Sequence, residues 1–316
     1  MSFSKKYVLI ACAFSVLAGC DQAFSPKGIY EERLIVYSIL TAEKDTQFVR
    51  VYLTYDPPGF DPNAVKTDNA VTDAIVSIPG GPAFRDTSVR RADTVRYSTD
   101  VRAYVSYPFN VAPGATYTLD VSTSTHGNAT ATATVPGNGS VLIASPFVLD
   151  APGVFNDDIS IYLTLSPIAH GFITRMLFQF EIMVSGSPVI RYEEIPQVTQ
   201  TIDGVIYPFY PKLTRRFSGQ RVGAQELISF STPAYVYAAN SVRLKYQNQQ
   251  LKFKAVVVVL TQVETNLYKY YNISNGFQDE NSLRTDQPDF TNIRGGIGVF
   301  GAMTLDSAVH VLPDNF

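Results

Sequence analysis

Cysteine is almost absent from this chain of 316 residues: only Cys12 and Cys20 occur, both close to the N-terminus. The rest of the sequence therefore has no means of forming a disulfide scaffold, a thiolate metal site or a cysteine nucleophile. Tryptophan is missing altogether, so the largest aromatic platform for ligand stacking is not available. The composition thus excludes thiol chemistry after Cys20 and ligand stacking on tryptophan before any motif is considered.

An excess of either charge is also lacking, with 25 lysine and arginine residues against 28 aspartate and glutamate residues. No basic run suggests nucleic-acid binding, so we expect no nucleic-acid partner. The histidines His126, His170 and His310 have no partner at metal-ligand spacing, and no G-x-S-x-G motif occurs. We expect no metal and no cofactor, although a dispersed serine–histidine–aspartate triad can assemble from distant positions.

The N-terminus has the three parts of a secretory signal. The basic pair Lys5 and Lys6 is followed by the apolar segment Tyr7 to Val16 and then by Leu17-Ala18-Gly19-Cys20. These last four residues are typical of a lipobox, in which the cysteine is acylated and becomes the first residue after cleavage. No later stretch of the sequence is long and apolar enough for a membrane-spanning helix.

We therefore predict a signal peptide at residues 1–19, a lipidated tether at residues 20–31 and lipid attachment at Cys20. Two or three acyl chains hold a protein stably on a membrane, because each buried CH₂ group contributes about 0.8 kcal/mol. Asp21 leaves the choice of membrane open, since in enterobacterial sorting an aspartate at this place retains a lipoprotein on the inner membrane.

From residue 32 onward the sequence has the texture of β-strands. In the segment Gln47 to Thr54, Val49, Val51 and Leu53 alternate with polar or aromatic residues. Turn signals separate the short apolar segments, and the glycine–proline cluster at residues 136–139 interrupts them. We predict an all-β chain with an N-terminal immunoglobulin-like β-sandwich at residues 32–136 and a second β-rich domain, sandwich- or barrel-like, at residues 137–316.

The second domain is predicted to contain several strands and one short helix. Its strands include Val242 to Tyr246 and the apolar segment Leu251 to Leu260. Thr261-Gln262-Val263-Glu264 is typical of a capping box, and Asn275-Gly276 is a stop signal, so we expect a helix of about 13 residues between them.

The segment Gly296-Ile297-Gly298-Val299-Phe300-Gly301 matches G-x-G-x-x-G, the pattern of a dinucleotide site. Such a site also needs a βαβ unit and an acidic residue about 20 positions further on, but only 15 residues follow Gly301 and no βαβ pattern surrounds it. We predict instead a glycine-rich final strand whose backbone packs closely against a neighbour or bulges.

Two further sets of residues leave alternatives open. Tyr192 and the run Tyr207-Pro208-Phe209-Tyr210 form either a ligand or partner surface or loop residues that fold back on the core. Loop acids crowd two turns, and we interpret them as solvated, with calcium binding as the alternative. They are Asn156-Asp157-Asp158, Asp279, Glu280, Asp286 and Asp289.

Several of these segments, in this order, resemble one family. The resemblance rests on the lipobox at Cys20, the strand-like Leu34 to Ile39, Thr72 to Ile78, Pro113 to Leu119 and Phe217 to Gln220. It is strongest at the C-terminus, where Leu267-Tyr268-Lys269-Tyr270-Tyr271 precedes the stretch Thr291 to Gly301. The sequence is similar to the Bacteroidota outer-membrane lipoproteins catalogued as domain of unknown function 4249.

This resemblance implies a location and a partner more than a chemistry. Family members are similar to lipoproteins encoded beside a TonB-dependent receptor-type barrel, and no catalytic residue set comes with them. We expect an outer-membrane accessory or binding protein, anchored through Cys20 on the periplasmic or cell-surface face, that works with such a barrel in nutrient capture or uptake. The phylum's Asp-Ser/Thr-apolar glycosylation triplet also occurs, at Asp93-Thr94-Val95 and Asp306-Ser307-Ala308.

Two other functions stay open. The protein could act alone as a surface adhesin or glycan-binding module through its tyrosine-rich stretch. It could also be a hydrolase whose site is dispersed along the sequence, either a triad or a carboxylate pair. The sequence contains no catalytic motif, so we favour a protein that is not an enzyme.

Overall fold

The computed structural model describes residues 29–57, 69–90, 100–153, 158–216, 225–274 and 290–316. Residues 33–316 form one compact unit, and residues 1–32 form a separate one. Seventeen strands and three helices occupy most of the described residues, which confirms the prediction of a mainly β chain. The predicted division into domains at residue 136 stays a prediction.

The largest sheet takes strands from both ends of the chain. Its first and last strands along the sequence pair in parallel near its middle, and its other pairings are antiparallel. In spatial order its strands are β11 (Ser187–Ile195), β10 (Gly171–Val184), β16 (Leu251–Val263), β17 (Gly296–Val311), β1 (Leu34–Thr41), β2 (Gln47–Leu53), β5 (Asp100–Ser106) and β4 (Arg85–Arg90), with β14 (Thr214–Arg215) beside β10.

Three smaller sheets and three helices complete the described structure. The first small sheet contains β3 (Ile75–Ser77), β6 (Thr116–Ser122) and β7 (Asn128–Thr134). The second contains β15 (Gln225–Phe230), β9 (Ile159–Thr164) and β8 (Ser140–Ile143), and the third is the hairpin of β12 (Val198–Ile202) and β13 (Val205–Phe209). The helices are α1 (Pro146–Asp150), α2 (Thr232–Lys245) and α3 (Thr265–Ser274).

Two separate hydrophobic cores lie beneath the large sheet. The first is shared by β1 and β2 with the β3–β6–β7 sheet and contains Val36, Val49 and Leu119. It is a β-sandwich core, because the apolar faces of two sheets meet in it. The second lies between β10, β16, the β15–β9–β8 sheet and α2, and contains Phe178 and Tyr235. Strand β17 runs past both cores, so the large sheet is continuous across the predicted boundary.

The glycine-rich segment of residues 296–301 lies in β17, and the prediction of a closely packed strand is confirmed. A Cβ atom at Gly296 would lie 2.7 Å from the carbonyl oxygen of Leu34 in β1. A Cβ atom at Gly301 would lie 2.8 Å from the Cβ atom of Leu267 in α3. Gly296 therefore allows β1, and Gly301 allows α3, to approach the backbone of β17 closely.

The predicted C-terminal helix begins at Thr265, directly after the expected capping box of residues 261–264 rather than inside it. Thr261 to Val263 belong to β16, where they pair with residues 303–305 of β17. The helix α3 begins at Thr265, and the Glu264 carboxylate caps it by accepting the amide hydrogens of Asn266 at 2.7 Å and Leu267 at 2.8 Å. Burial raises the pKa of Glu264, against the effect of these amide donors, which lower it.

The predicted strand Val242 to Tyr246 is wrong, because these residues lie at the end of α2. The helix has Ser231 as its N-cap, whose Oγ accepts the amide hydrogen of Ala234 at 3.3 Å. Its inner face is buried at Ala234, Tyr235, Ala238, Ala239 and Val242, the spacing of a helix rather than of a strand. The apolar residues at its end resemble a strand only when they are considered without the preceding turns.

Candidate functional site

The aromatic run at residues 207–210 lies on the hairpin of β12 and β13, which we call the arm. Asp203 and Gly204 form its tip, with φ angles of 50° and 79°. A two-residue hairpin turn of this kind requires positive φ at both positions, and Asp-Gly is a preferred pair for it. The register is set by this turn, with Ile202 opposite Val205 and Val198 opposite Phe209.

One face of the arm is an exposed apolar surface, which we call the outer arm face. Cross-strand partners lie on the same face of a hairpin, and so do alternate residues of one strand. Tyr207 therefore shares this face with the two apolar pairs named above. The exposed fractions of its apolar residues run from 40% for Val198 to 52% for Val205. Soluble monomers rarely expose apolar side chains in such a contiguous group, and these groups often mark interaction sites.

The opposite face of the arm contributes Ile206 to a cleft of about 670 Å³ beside α2. The helix contributes the other apolar side chains of the cleft, among them Val236, Tyr237 and Leu244. Leu244 is 69% exposed, an unusually large fraction for a leucine on a helix whose other face is already buried. The cleft and the outer arm face together make up the candidate site.

No charged side chain lies among the described residues that line the cleft. Of the two cations of α2, Lys245 is 2.9 Å from Glu193, whereas Arg243 lies 5.3 Å from the ring centre of Phe253 and donates to the cleft residue Asn240 at 3.3 Å. Tyr210, at the base of the arm, has its pKa raised by partial burial, with Tyr237 and Glu193 acting in the same direction. Arg243 therefore borders the cleft, where its guanidinium already contacts Asn240 and the Phe253 ring.

Tyr192 does not belong to the arm. It lies on β11 at the edge of the large sheet, where its hydroxyl accepts a hydrogen bond of 2.8 Å from the Gln179 side chain. The structure thus brings Tyr207 and Phe209 together on one exposed face and places Tyr192 on another strand. The sequence left two alternatives for the aromatic run, a surface or residues folded back on the core. Tyr207, Phe209 and Tyr210 lie at the surface, with exposed fractions of 46%, 44% and 45%.

Sequence reasoning missed most of the candidate site. The arm partners Val198, Ile202 and Val205 and the apolar strip of α2 were not singled out. The signals that could have found them are local: Asp203-Gly204 between two apolar segments predicts a hairpin, and Ser231 followed by Pro233 predicts the start of a helix.

The three histidines lie apart. The Nε2 atom of His310 in β17 lies at a hydrogen-bonding distance of 2.7 Å from Oδ1 of Asp150 in α1, and the ring of His170 lies 4.9 Å from that of Tyr268. Burial lowers the pKa of His170, and the nearby cation Arg215 acts in the same direction. His126 lies in the turn between β6 and β7, with its amide donating to Thr123. Within the described residues, no serine hydroxyl forms a hydrogen bond with the ring of His170 or His310.

Several predicted positions lie outside the described residues. They are Cys20 with its lipobox, the first glycosylation triplet at residues 93–95, Asn156 and Asp157, and the acids at positions 279, 280, 286 and 289. In the second triplet Ser307 is exposed on β17, while Asp306 accepts the amide hydrogen of Gly139 at 2.8 Å. Across the ranges that the structure describes, no group of three histidine, cysteine or acidic residues is placed to hold a metal ion.

No helix in the described part of the chain is long and apolar enough to span a membrane. The described residues form an all-β protein with a β-sandwich core and an exposed apolar arm beside a helix. The chain belongs to the family described as Domain of unknown function (DUF4249), whose model matches residues 21–308. A comparison with curated proteins finds no match.

Proposed function

We propose that this protein is a lipid-anchored accessory protein of the outer membrane that binds a TonB-dependent receptor-type barrel and assists nutrient capture or uptake. The lipobox ending at Cys20 supports the anchor. The outer arm face carries the binding part of the proposal, because it is an apolar surface on a projecting hairpin that has its other face toward α2.

The exposed apolar area of the outer arm face sets how much its burial can contribute to association. Complete burial of one large apolar side chain contributes about 1.5–3 kcal/mol. The five apolar residues Val198, Ile202, Val205, Tyr207 and Phe209 are each about half exposed. Covering them would contribute on the order of 5 kcal/mol before the entropy of association is subtracted.

Anchoring strengthens such an interaction without any new contact. The chain from Cys20 to Leu34 can extend at most about 50 Å, since each residue spans no more than about 3.6 Å. A protein held within this distance of the bilayer meets membrane partners at a high effective concentration. A modest contact surface is therefore enough when the partner is itself a membrane protein.

The anchor is tested by replacing Cys20 with alanine. We expect the variant to lose incorporation of radiolabelled palmitate and to move from the membrane fraction to the soluble fraction, because the thiol is the site of acylation. Wild-type protein processed in parallel is the reference. Unchanged palmitate incorporation in the variant would contradict lipid attachment at this residue.

The partner surface is tested by extracting the protein from its native membrane in mild detergent. We expect a TonB-dependent receptor-type barrel, identified by mass spectrometry, to co-purify with the wild type. The double variant Val205→Ser/Tyr207→Ser should retain at least tenfold less of it, because a loss of about 1.4 kcal/mol changes affinity tenfold.

A matched control uses a second exposed apolar group. Leu142 and Leu227 lie opposite Tyr162 on the solvent face of the β15–β9–β8 sheet and are 56% and 54% exposed. The variant Leu142→Ser/Leu227→Ser should retain the barrel as the wild type does. Recovery of the wild-type protein without a barrel, or equal losses in both double variants, would contradict the proposal.

A stand-alone glycan-binding function has one observation in its favour, the exposed tyrosine ring of Tyr207 on the arm. Tyrosine offers a rigid apolar face with a polar tip, which suits sugar rings. Retention on a glycan array that disappears in Tyr207→Ser, together with the absence of a co-purifying barrel, would favour this alternative.

A further inference from the structure

The helix α2 is apolar on both of its faces. Its inner face packs in the second core, and its outer face presents Pro233, Val236, Tyr237 and Leu244 at helical spacing. A surface helix of a globular protein normally has polar residues on the side away from the core. Packing against the rest of the described chain therefore does not account for the apolar residues of the outer strip.

The outer strip forms one wall of the cleft, and the arm forms the facing wall through Ile206. The residues from Pro233 to Leu244 span about 16 Å, since a helix rises 1.5 Å per residue. A volume of about 670 Å³ falls in the range of about 300–1,000 Å³ that is usual for small-molecule sites. The cleft is therefore large enough for a ligand of several rings or an extended hydrocarbon.

The lining of the cleft indicates the charge of its occupant. None of the described lining residues is an acid or a base. A charged ligand would lose hydration there without an ionic partner in the lining, a cost of several kcal/mol, because Arg243 at its edge already contacts Asn240 and Phe253. An uncharged molecule avoids this cost and gains from contact with the apolar walls.

Two polar side chains on the same helix indicate a second property of the ligand. The Ser241 hydroxyl donates to the carbonyl of Tyr237 at 2.8 Å, so its oxygen still has the capacity to accept. The Asn240 side chain uses its oxygen to accept from Arg243 at 3.3 Å, which leaves its amide hydrogens for a ligand. One acceptor and one donor at the edge of an apolar cleft suit a hydroxyl or carbonyl group.

We propose that the cleft between α2 and the arm binds an uncharged, mainly apolar small molecule that carries a hydroxyl or carbonyl group. This site goes beyond the proposed function, because a barrel would contact the outer arm face whereas the ligand contacts the opposite face and α2. The protein would then present two adjacent but separate surfaces, one for a partner and one for a small ligand.

The site is tested with the neutral fluorophore N-phenyl-1-naphthylamine, titrated against the full-length mature chain. Every sample carries Cys20→Ala, so that neither acyl chains nor detergent micelles take up the probe. We expect saturable binding with one probe per chain. The anionic analogue 8-anilinonaphthalene-1-sulfonate should bind at least tenfold more weakly, because the lining offers no cation.

Variants locate the bound probe. Val236→Asp places a charge in the middle of the cleft and should weaken binding of the neutral probe at least tenfold. Leu244→Asp, at a position that is 69% exposed, keeps the test valid if Val236→Asp does not fold. The control Leu227→Asp introduces the same charge at an exposed leucine of β15 and should leave probe affinity unchanged.

Two results would overturn the inference. The first is equal affinity of wild type, Val236→Asp and Leu244→Asp for the neutral probe. The second is loss of probe binding in Val205→Ser/Tyr207→Ser but not in the cleft variants, which would place the probe on the outer arm face. The titration contains no barrel, so its failure is independent of any failure of the co-purification experiment.

Discussion

Gly298→Ala is expected to abolish folding or to lower the free energy of unfolding by more than about 4 kcal/mol, a loss that few single substitutions cause. Gly298 pairs with Val36 in the parallel ladder of β1 and β17, and its φ angle is 114°. An added Cβ atom would clash with the carbonyl oxygen of Val36, and the nearest atoms are all backbone atoms, so no flexible side chain could move aside. Urea unfolding followed by circular dichroism measures the effect.

The matched control for this prediction is Gly114→Ala. Gly114 also has a positive φ angle, 81°, but nothing lies within 4 Å of the position that a Cβ atom would occupy. Its substitution should therefore cost only the backbone strain, about 1–2 kcal/mol. If the two alanine variants have the same free energy of unfolding, the close approach of β1 to β17 is not what requires glycine at residue 298.

Gln262→Leu is expected to lower the free energy of unfolding by about 3 kcal/mol. Gln262 is fully buried in β16, where its oxygen accepts the amide hydrogen of Ser166 at 2.7 Å. Its nitrogen donates to Asp306 at 3.1 Å and to the carbonyl of Gly137 at 3.3 Å. Leucine has a similar volume but leaves the Ser166 amide without its partner and removes a donor from a carboxylate, each costing about 1–3 kcal/mol.

The expected loss is measured by urea unfolding against Gln249→Leu, the same substitution at an exposed turn. That control should change the free energy of unfolding by no more than about 0.5 kcal/mol. Equal effects of the two substitutions would show that the buried hydrogen bonds of Gln262 contribute nothing. The result also bears on the cluster at residues 136–139, which sequence reasoning treats as a domain boundary and which Gln262 and Asp306 hold by hydrogen bonds.

The glycine motif at residues 296–301 is a segment where the sequence predicts the type of structure but not its neighbours. The absence of a βαβ pattern around residues 296–301 favours a closely packed strand over a dinucleotide site, and the structure confirms the close packing. The neighbours were not predictable, because Leu34 and Leu267 lie far from this segment in the sequence. Which backbone atoms require glycine depends on the parallel pairing of β1 with β17.

The helix α2 and the arm show where sequence reasoning fails. The residue types of Val242 to Tyr246 predict a strand. The structure has a helix there, because the preceding alanines and Tyr235 pack into the second core along one helical face. Tyr235 is buried, and its hydroxyl donates to the carbonyl of Leu149 at 3.0 Å, a contact between distant segments. Tertiary packing outweighs weak local propensity in such cases.

The sequence by itself determined that the chain is mainly β and that residues 296–301 form a closely packed strand. These properties follow from composition, alternation and chain length, which do not depend on long-range contacts. Only the tertiary structure decided that the aromatic run is exposed on an arm and that the arm and apolar residues of α2 line one cleft. Exposure and mutual distance arise from the packing of elements distant in sequence, so no local pattern contains them.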